Sequence, residues 1–168
     1  RQHIGFFVDY TLGKATKNAA MADKAKKDLD GYRTSFGQLI NSVVPELPAD
    51  AVAKELIPHV NTLYAAIDAL VTGKGDAFAL LSKAADHMPM TADILAGGID
   101  ANKKLAGDVD SDASNLRSGL TYLLDAHVDL AGIALVQAVQ KGGNLKDPSV
   151  VAAVNALDAN SVALSKAV

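Results

Sequence analysis

The sequence predicts an all-α fold, an internally duplicated antiparallel helical bundle of about six helices, and three observations carry that reading. Alanine is abundant, and the chain is 49% hydrophobic but only 5% aromatic, a balance that suits closely packed helices rather than sheets. Apolar residues recur at spacings of three and four, and no stretch keeps the strict alternation of a half-buried strand. The chain also matches itself at an offset of 84, which lays His3, Asp9, Gly13 and Asn18 on His87, Asp93, Gly97 and Asn102. Tyr32-Arg33-Thr34 falls on Leu116-Arg117-Ser118, and Leu81-Ser82-Lys83-Ala84 returns as Leu164-Ser165-Lys166-Ala167. A single domain over 1–168, made of repeats at about 1–84 and 85–168, is the expected organisation.

Each helix has its own signals. The first covers His3–Gly13, with Phe6, Phe7 and Tyr10 on its apolar side and Gly13 as its stop. The second spans Thr16–Val44, burying Phe36, Leu39, Ile40 and Val43, and is broken by Pro45 and Pro48. Pro48-Ala49-Asp50 opens a third that runs to about Thr72 along the seam Val52, Leu56, His59, Leu63, Ala66 and Leu70. After the turn at Gly73–Asp76, a junction helix covers Asp76–Ala96. Leu80, Ala84, His87, Thr91 and Ile94 form its seam, Pro89 kinks it and Gly97-Gly98 ends it.

Ser111–Lys141 makes a helix of roughly 45 Å at 1.5 Å per residue. Its seam is Leu116, Leu120, Leu123, His127, Leu130, Ala134 and Ala138, and Gly142-Gly143 stops it. Asp147-Pro148 opens the last helix. His59 and His127 also match, at an offset of 68, because the segment between Ile40 and His59 is 16 residues longer in the first copy.

Net charge and cysteine usage narrow the function. At −3 with a pI near 5.7 the chain lacks the basic face that nucleic acid needs. Lys14, Lys17, Lys24, Lys26 and Lys27 are interspersed with Asp23, Asp28 and Asp30 and read as a solvated face. With no cysteine, disulfides, thiolate metal sites and cysteine nucleophiles are excluded. No uninterrupted apolar run reaches the roughly 18 residues of a membrane span, so no transmembrane segment is expected. The opening Arg1-Gln2-His3 lies already inside a repeat, as in a mature, processed or excerpted chain.

The four histidines occupy matching places, and at least three lie on apolar seams. One reading has His3, His59, His87 and His127 converge on a metal or haem, with Met88 and Met90 suited to a soft ion such as Cu(I). The other makes each a buried, hydrogen-bonded structural histidine. Three points favour the second. No two histidines are four residues apart, Met88 and Met90 replace the core-type Ile4 and Phe6, and Asp9 and Asp93 point about 120° away from their histidines. Those aspartates are instead expected to meet Arg33 and Arg117 as one buried ion pair in each half.

Enzymatic motifs are absent from the sequence. Glu46 and Glu55 are its only glutamates, and there is no Glu-x-x-His, His-Glu-x-x-His, Gly-x-Ser-x-Gly, phosphate loop or dinucleotide fingerprint. No enzyme is expected.

The run His3–Thr11, His87-Met88, Ala92-Asp93, Leu95-Ala96, Gly98-Ile99, Leu116-Arg117, Leu123-Leu124 and His127 resembles a family of bacterial His-patterned helical-bundle repeat proteins. They are common in Gram-positive species and often secreted, and some carry the label copper amine oxidase domain-containing. The resemblance covers most of the chain and implies an all-α bundle outside the cytoplasm, with no established activity. The label does not transfer, because neither an Asn-Tyr cofactor precursor nor a His-x-His copper motif is present. In that family a Trp-Arg pair precedes the first His motif, whereas this chain begins at Arg1.

Where the second copy ends, at Val168, the first copy continues into a His-motif helix. A head-to-tail contact of Val168 with Arg1 of another chain would restore that junction, building rings or filaments. The expectation is therefore a non-enzymatic, extracytoplasmic or secreted module with a structural or interaction role and no resident cofactor. Its partner is another copy of itself or another envelope protein. A copper or haem carrier is the alternative, and a small-molecule or lipid pocket between the two halves is a third.

Overall fold

A computed structural model of the chain describes residues 2–167, so Arg1 and Val168, and with them the head-to-tail contact, lie outside the described residues. All regular structure among the described residues is helical: α1 (Gln2–Ala15), α2 (Ala19–Val43), α3 (Ala49–Thr72), α4 (Ala77–Ala85), α5 (His87–Lys103), α6 (Asp112–Gln140) and α7 (Pro148–Ala167). The all-α class is as the composition and spacing predict.

Small residues set how closely α1, α2 and α3 approach. Gly13 does not stop α1, which continues to Ala15; it is buried where a Cβ would stand 2.7 Å from the backbone nitrogen of Ala22. The turn is made two residues later by Lys17, at a φ of 58°, and Asn18 caps α2 by accepting the Met21 N–H at 3.1 Å. The buried stripe of α2 is Ala22, Ala25, Leu29 and Gly37. Phe36 and Ile40 are only partly buried and Leu39 and Val43 are exposed, because the neighbours pack on the small residues instead of the large ones. At Gly37 any Cβ would collide with the carbonyl of Ala49, which brings the start of α3 against α2.

Within α3, Val52, Leu56 and Ala66 are buried as the seam requires, while Leu70 near its end is exposed. Gly73 closes the helix in the left-handed conformation, with a φ of 70°.

The junction helix departs from expectation in two ways. It breaks at Asp86, not at Pro89, which becomes the third residue of α5. A proline costs little there, because the first-turn N–H groups have no partner within the helix. Helix α5 then runs through Gly97-Gly98 and ends with Lys104 at a φ of 49°. Gly98 is used for contact: the Leu47 side chain occupies the space where its Cβ would stand. Asn102 Nδ2 donates to Glu46 Oε2 at 2.8 Å, so α5 is moored to the loop between α2 and α3.

Helices α6 and α7 form an antiparallel hairpin closed by Gly142 and Gly143, both at positive φ. Ser111 caps α6 through the Ser114 N–H, and Asp147 accepts the Ser149 N–H at 2.9 Å at the start of α7. Phe78 of α4 packs with Leu130, Ala134, Ala153 and Ala156 to make the core at this end. A separate cluster of Tyr10, Ala22 and Ala25, flanked by Tyr64 and Ile67, holds α1, α2 and α3 together.

The helices matched by the offset of 84 do not pack alike. Helix α1 lies along α2 and α3, whereas α5 lies against α3 and α4 and meets α6 only lightly. Helix α6 is, by length and composition alone, apolar enough to cross a membrane, although Asp125 and Asp129 interrupt every long apolar run in it.

Candidate functional site

Two clefts flank α3. The smaller, about 270 Å3, lies between α1, α2, α3 and α5, with Phe7, Leu29, Tyr32, Phe36, Leu56 and Val60 as its apolar wall. His3, His59, Met88 and Arg33 stand at the same cleft. The larger, about 980 Å3, separates α3 and α4 from α6 and α7 and is lined by Leu and Ala side chains together with polar ones that include Asp86, Tyr122, Asp129, Asn155 and Asn160. His59 and Met88 border both.

The histidines do not all converge. His3 packs at a tilt against Tyr32 with ring centroids 5.1 Å apart, and its Nδ1 is buried without a hydrogen-bond partner. Burial holds its pKa below the ordinary value, and the nearby His59 adds to the effect by opposing a second positive charge. His59 Nδ1 donates to the Ala84 carbonyl at 2.8 Å. A carbonyl only accepts, so this bond puts the proton of the neutral ring on Nδ1 and leaves Nε2 as a free acceptor.

His127 is in the α6–α7 hairpin, where Nδ1 donates to Asn160 Oδ1 at 3.0 Å; Asn160 Nδ2 in turn donates to the Leu123 carbonyl at 3.2 Å. His87 opens α5 and borders neither cleft, and Met90 is exposed. Among the described residues no group of three or more His, Cys, Asp or Glu side chains is placed to hold a metal ion.

The expected aspartate–arginine pairs do not form. Arg33 reaches across to α3, donating to the Ala53 carbonyl at 2.6 Å, and pairs with Asp30 of its own helix at 3.0 Å. Asp9, on α1, points to solvent. Asp93 and Arg117 are likewise exposed, and neither joins an ion pair among the described residues. The offset put like residues in register; it did not bring the helices carrying them together.

Further polar contacts between helices come from residues outside the repeated motifs. Tyr10 donates to Asp68 Oδ1 at 3.0 Å, and Lys14 pairs with the same carboxylate at 3.0 Å. Tyr122 donates to Asp86, joining α6 to the break between α4 and α5. Burial first, and then the hydrogen bond to its aspartate, raises the pKa of both Tyr10 and Tyr122 above the ordinary phenol value. Ser82 borders the large cleft, and its Oγ is buried without a partner. Asn160 had a legible signal: with Val150, Ala153 and Ala156 it completes one helical seam, where an amide must find partners.

Chemically, the small cleft offers two imidazoles and a thioether on an aromatic wall, and the large one a trough whose Leu and Ala surface is interspersed with hydroxyl, amide and carboxylate side chains. Comparison of the chain with protein-family models, with curated protein sequences and with solved structures finds no match.

Proposed function

We propose that this chain is a non-enzymatic helical-bundle module with a structural role, performed by association with further copies of itself. The observation that carries this reading is surface. The folded chain exposes 10285 Å2 at a mass of 17.4 kDa. A monomer of that mass ordinarily exposes about 7,900 Å2, leaving an excess of roughly 2,400 Å2. Many large apolar side chains contribute to it, among them Ile4, Val8 and Leu12 in a stripe along α1. Such surface is what protein partners cover.

The histidines fit this reading as cross-braces: His59 ties α3 to α4, and His127 ties α6 to α7. The extracytoplasmic setting rests on the family resemblance, and the duplicated halves suggested by the offset of 84 would supply a repeating unit for assembly. Light scattering coupled to size-exclusion chromatography tests the reading directly. A mass above one chain that falls on dilution is expected; one-chain mass across the whole concentration range overturns it.

A second reading, a copper or haem carrier, is favoured by one specific observation: His3, His59 and Met88 share the small cleft, and His3 Nδ1 has no other partner. These residues would hold Cu(I), with the Ala84 carbonyl orienting His59 from behind. A haem would take the larger cleft, where His59 and Met88 also stand. Thermal melting with and without Cu(I) separates the readings. A rise in Tm that Met88→Leu abolishes supports the carrier, and an unchanged Tm removes it.

A further inference from the structure

Helix α6 carries two apolar faces where a bundle helix needs one. Leu130 and Ala134 point into the core with Phe78. On the opposite side Leu124, Val128, Leu135, Val136 and Val139 are all more than half exposed. At 100° per residue those five share one arc with Gly132, above which a Cβ would meet nothing within 4 Å. The arc is flat at Gly132 and bears a large neighbour at Leu135. Asp125 lies within its first half, Asp129 at its edge, and Lys141, paired with Asp147 at 3.8 Å, and Lys146 lie just beyond its end.

We propose that this face binds the same face of a second copy, the two α6 helices lying antiparallel across a two-fold axis. The chemistry sets the register. Leu135 of each copy seats on Gly132 of the other, which brings Val128 opposite Val139. The same register carries Asp125 to within one residue of Lys141 of the second copy, so the acidic half of each helix meets the basic end of the other. The two helix dipoles also oppose. A parallel arrangement would instead set Asp125 and Asp129 beside their own counterparts.

The surface is self-complementary, so the contact closes as a dimer and does not propagate. An interface of ordinary size takes about 800 Å2 from each partner, which the excess surface of the chain readily supplies. A membrane surface is the weaker occupant, because interfacial helices flank their apolar face with Lys and Arg, whereas here Asp125 interrupts that face and Asp129 flanks it.

This inference rests on the self-association reading, and cysteine cross-linking separates the two. The natural sequence has no cysteine, so Val128→Cys and Val139→Cys each introduce a single thiol at an exposed position. In the antiparallel register two copies of residue 128 sit roughly 16 Å apart along the axis. That is beyond the ~7 Å Cα separation a disulfide spans. Neither variant alone should oxidise to a covalent dimer, and an equimolar mixture of the two should.

Covalent dimer from either variant alone overturns the antiparallel register. No covalent product from the mixture, with the unmodified chain still above one-chain mass, overturns this face and leaves self-association standing. One-chain mass for the unmodified chain overturns both. Leu135→Asp, at a site exposed in the single chain, should weaken dimerisation at least tenfold with an unchanged circular dichroism spectrum. Flotation of the unmodified chain with vesicles containing anionic lipid, lost in Leu135→Asp, would assign the face to a membrane instead.

Discussion

Asn160 and His3 are opposite cases of a polar side chain inside a helical protein. Asn160 is buried and spends both ends of its amide, accepting from His127 and donating to the Leu123 carbonyl. Asn160→Leu would leave His127 Nδ1 without its partner and remove the second bond from α7 to the Leu123 carbonyl. It should cost about 1–3 kcal/mol, read from the urea midpoint at unchanged m. His3 has no partner for Nδ1, and its neutral form is favoured by burial and by His59. Its folded pKa lies below the unfolded 6.5, so the unfolded chain binds the proton first. Stability should therefore hold above pH 6.5 and fall as the pH drops below it, and His3→Gln should flatten that part of the profile. Neither role is written in a motif. The offset pairs His3 with His87 and His59 with His127, but a hydrogen-bond partner on another helix depends on packing that one sequence does not state.

Along a single helix the same residue type does different work. In α2, Gly31 faces open space and Gly37 faces the Ala49 carbonyl. Gly31→Ala should stabilise the chain by about 0.5–1 kcal/mol, because a helix-interior glycine loses more backbone entropy than alanine. Gly37→Ala should destabilise it by about 1–3 kcal/mol, because backbone must move. Thermal melts of the two variants should thus shift in opposite directions. Helix positions were legible where breakers and caps coincide with the end of an apolar seam, as at Pro45–Pro48, Gly73 and Gly142-Gly143. They were misread at Gly13 and Gly97-Gly98, which lie inside their helices instead of ending them; Gly13 and Gly98 permit close approach, and Gly97 faces open space. The face of α2 was misread for the same reason: Ala22, Ala25 and Gly37 admit neighbours that Leu39 and Val43 would hold off.

For the molecule as a whole, composition announced helices but not how tightly they close. Alanine-rich seams bury little area per residue, and the chain is left with far more surface than its mass requires. Association that covers this surface binds only the folded state, so Tm should rise with protein concentration, most simply followed by scanning calorimetry on a dilution series. Leu135→Asp should remove most of that dependence. The aspartate–arginine pairs failed at this scale, since matched positions in sequence meet only if the two halves pack alike, and α1 and α5 do not.

The large cleft between α3–α4 and α6–α7 also has a mechanical consequence. It is a seam of low cohesion: α6 and α7 hold chiefly to each other, and what fastens the pair to the rest is α4 together with the Tyr122–Asp86 bond. The connection between α5 and α6 is exposed over almost its whole length, so nothing there clamps the pair shut. The hairpin should therefore detach as one cooperative piece before the helices themselves unwind. Amide protons of α6 and α7 should then exchange together, at a lower opening free energy than those of α1 to α3, and a protease should cut first in 104–110. A chain built this way yields like a hinged panel, one leaf at a time.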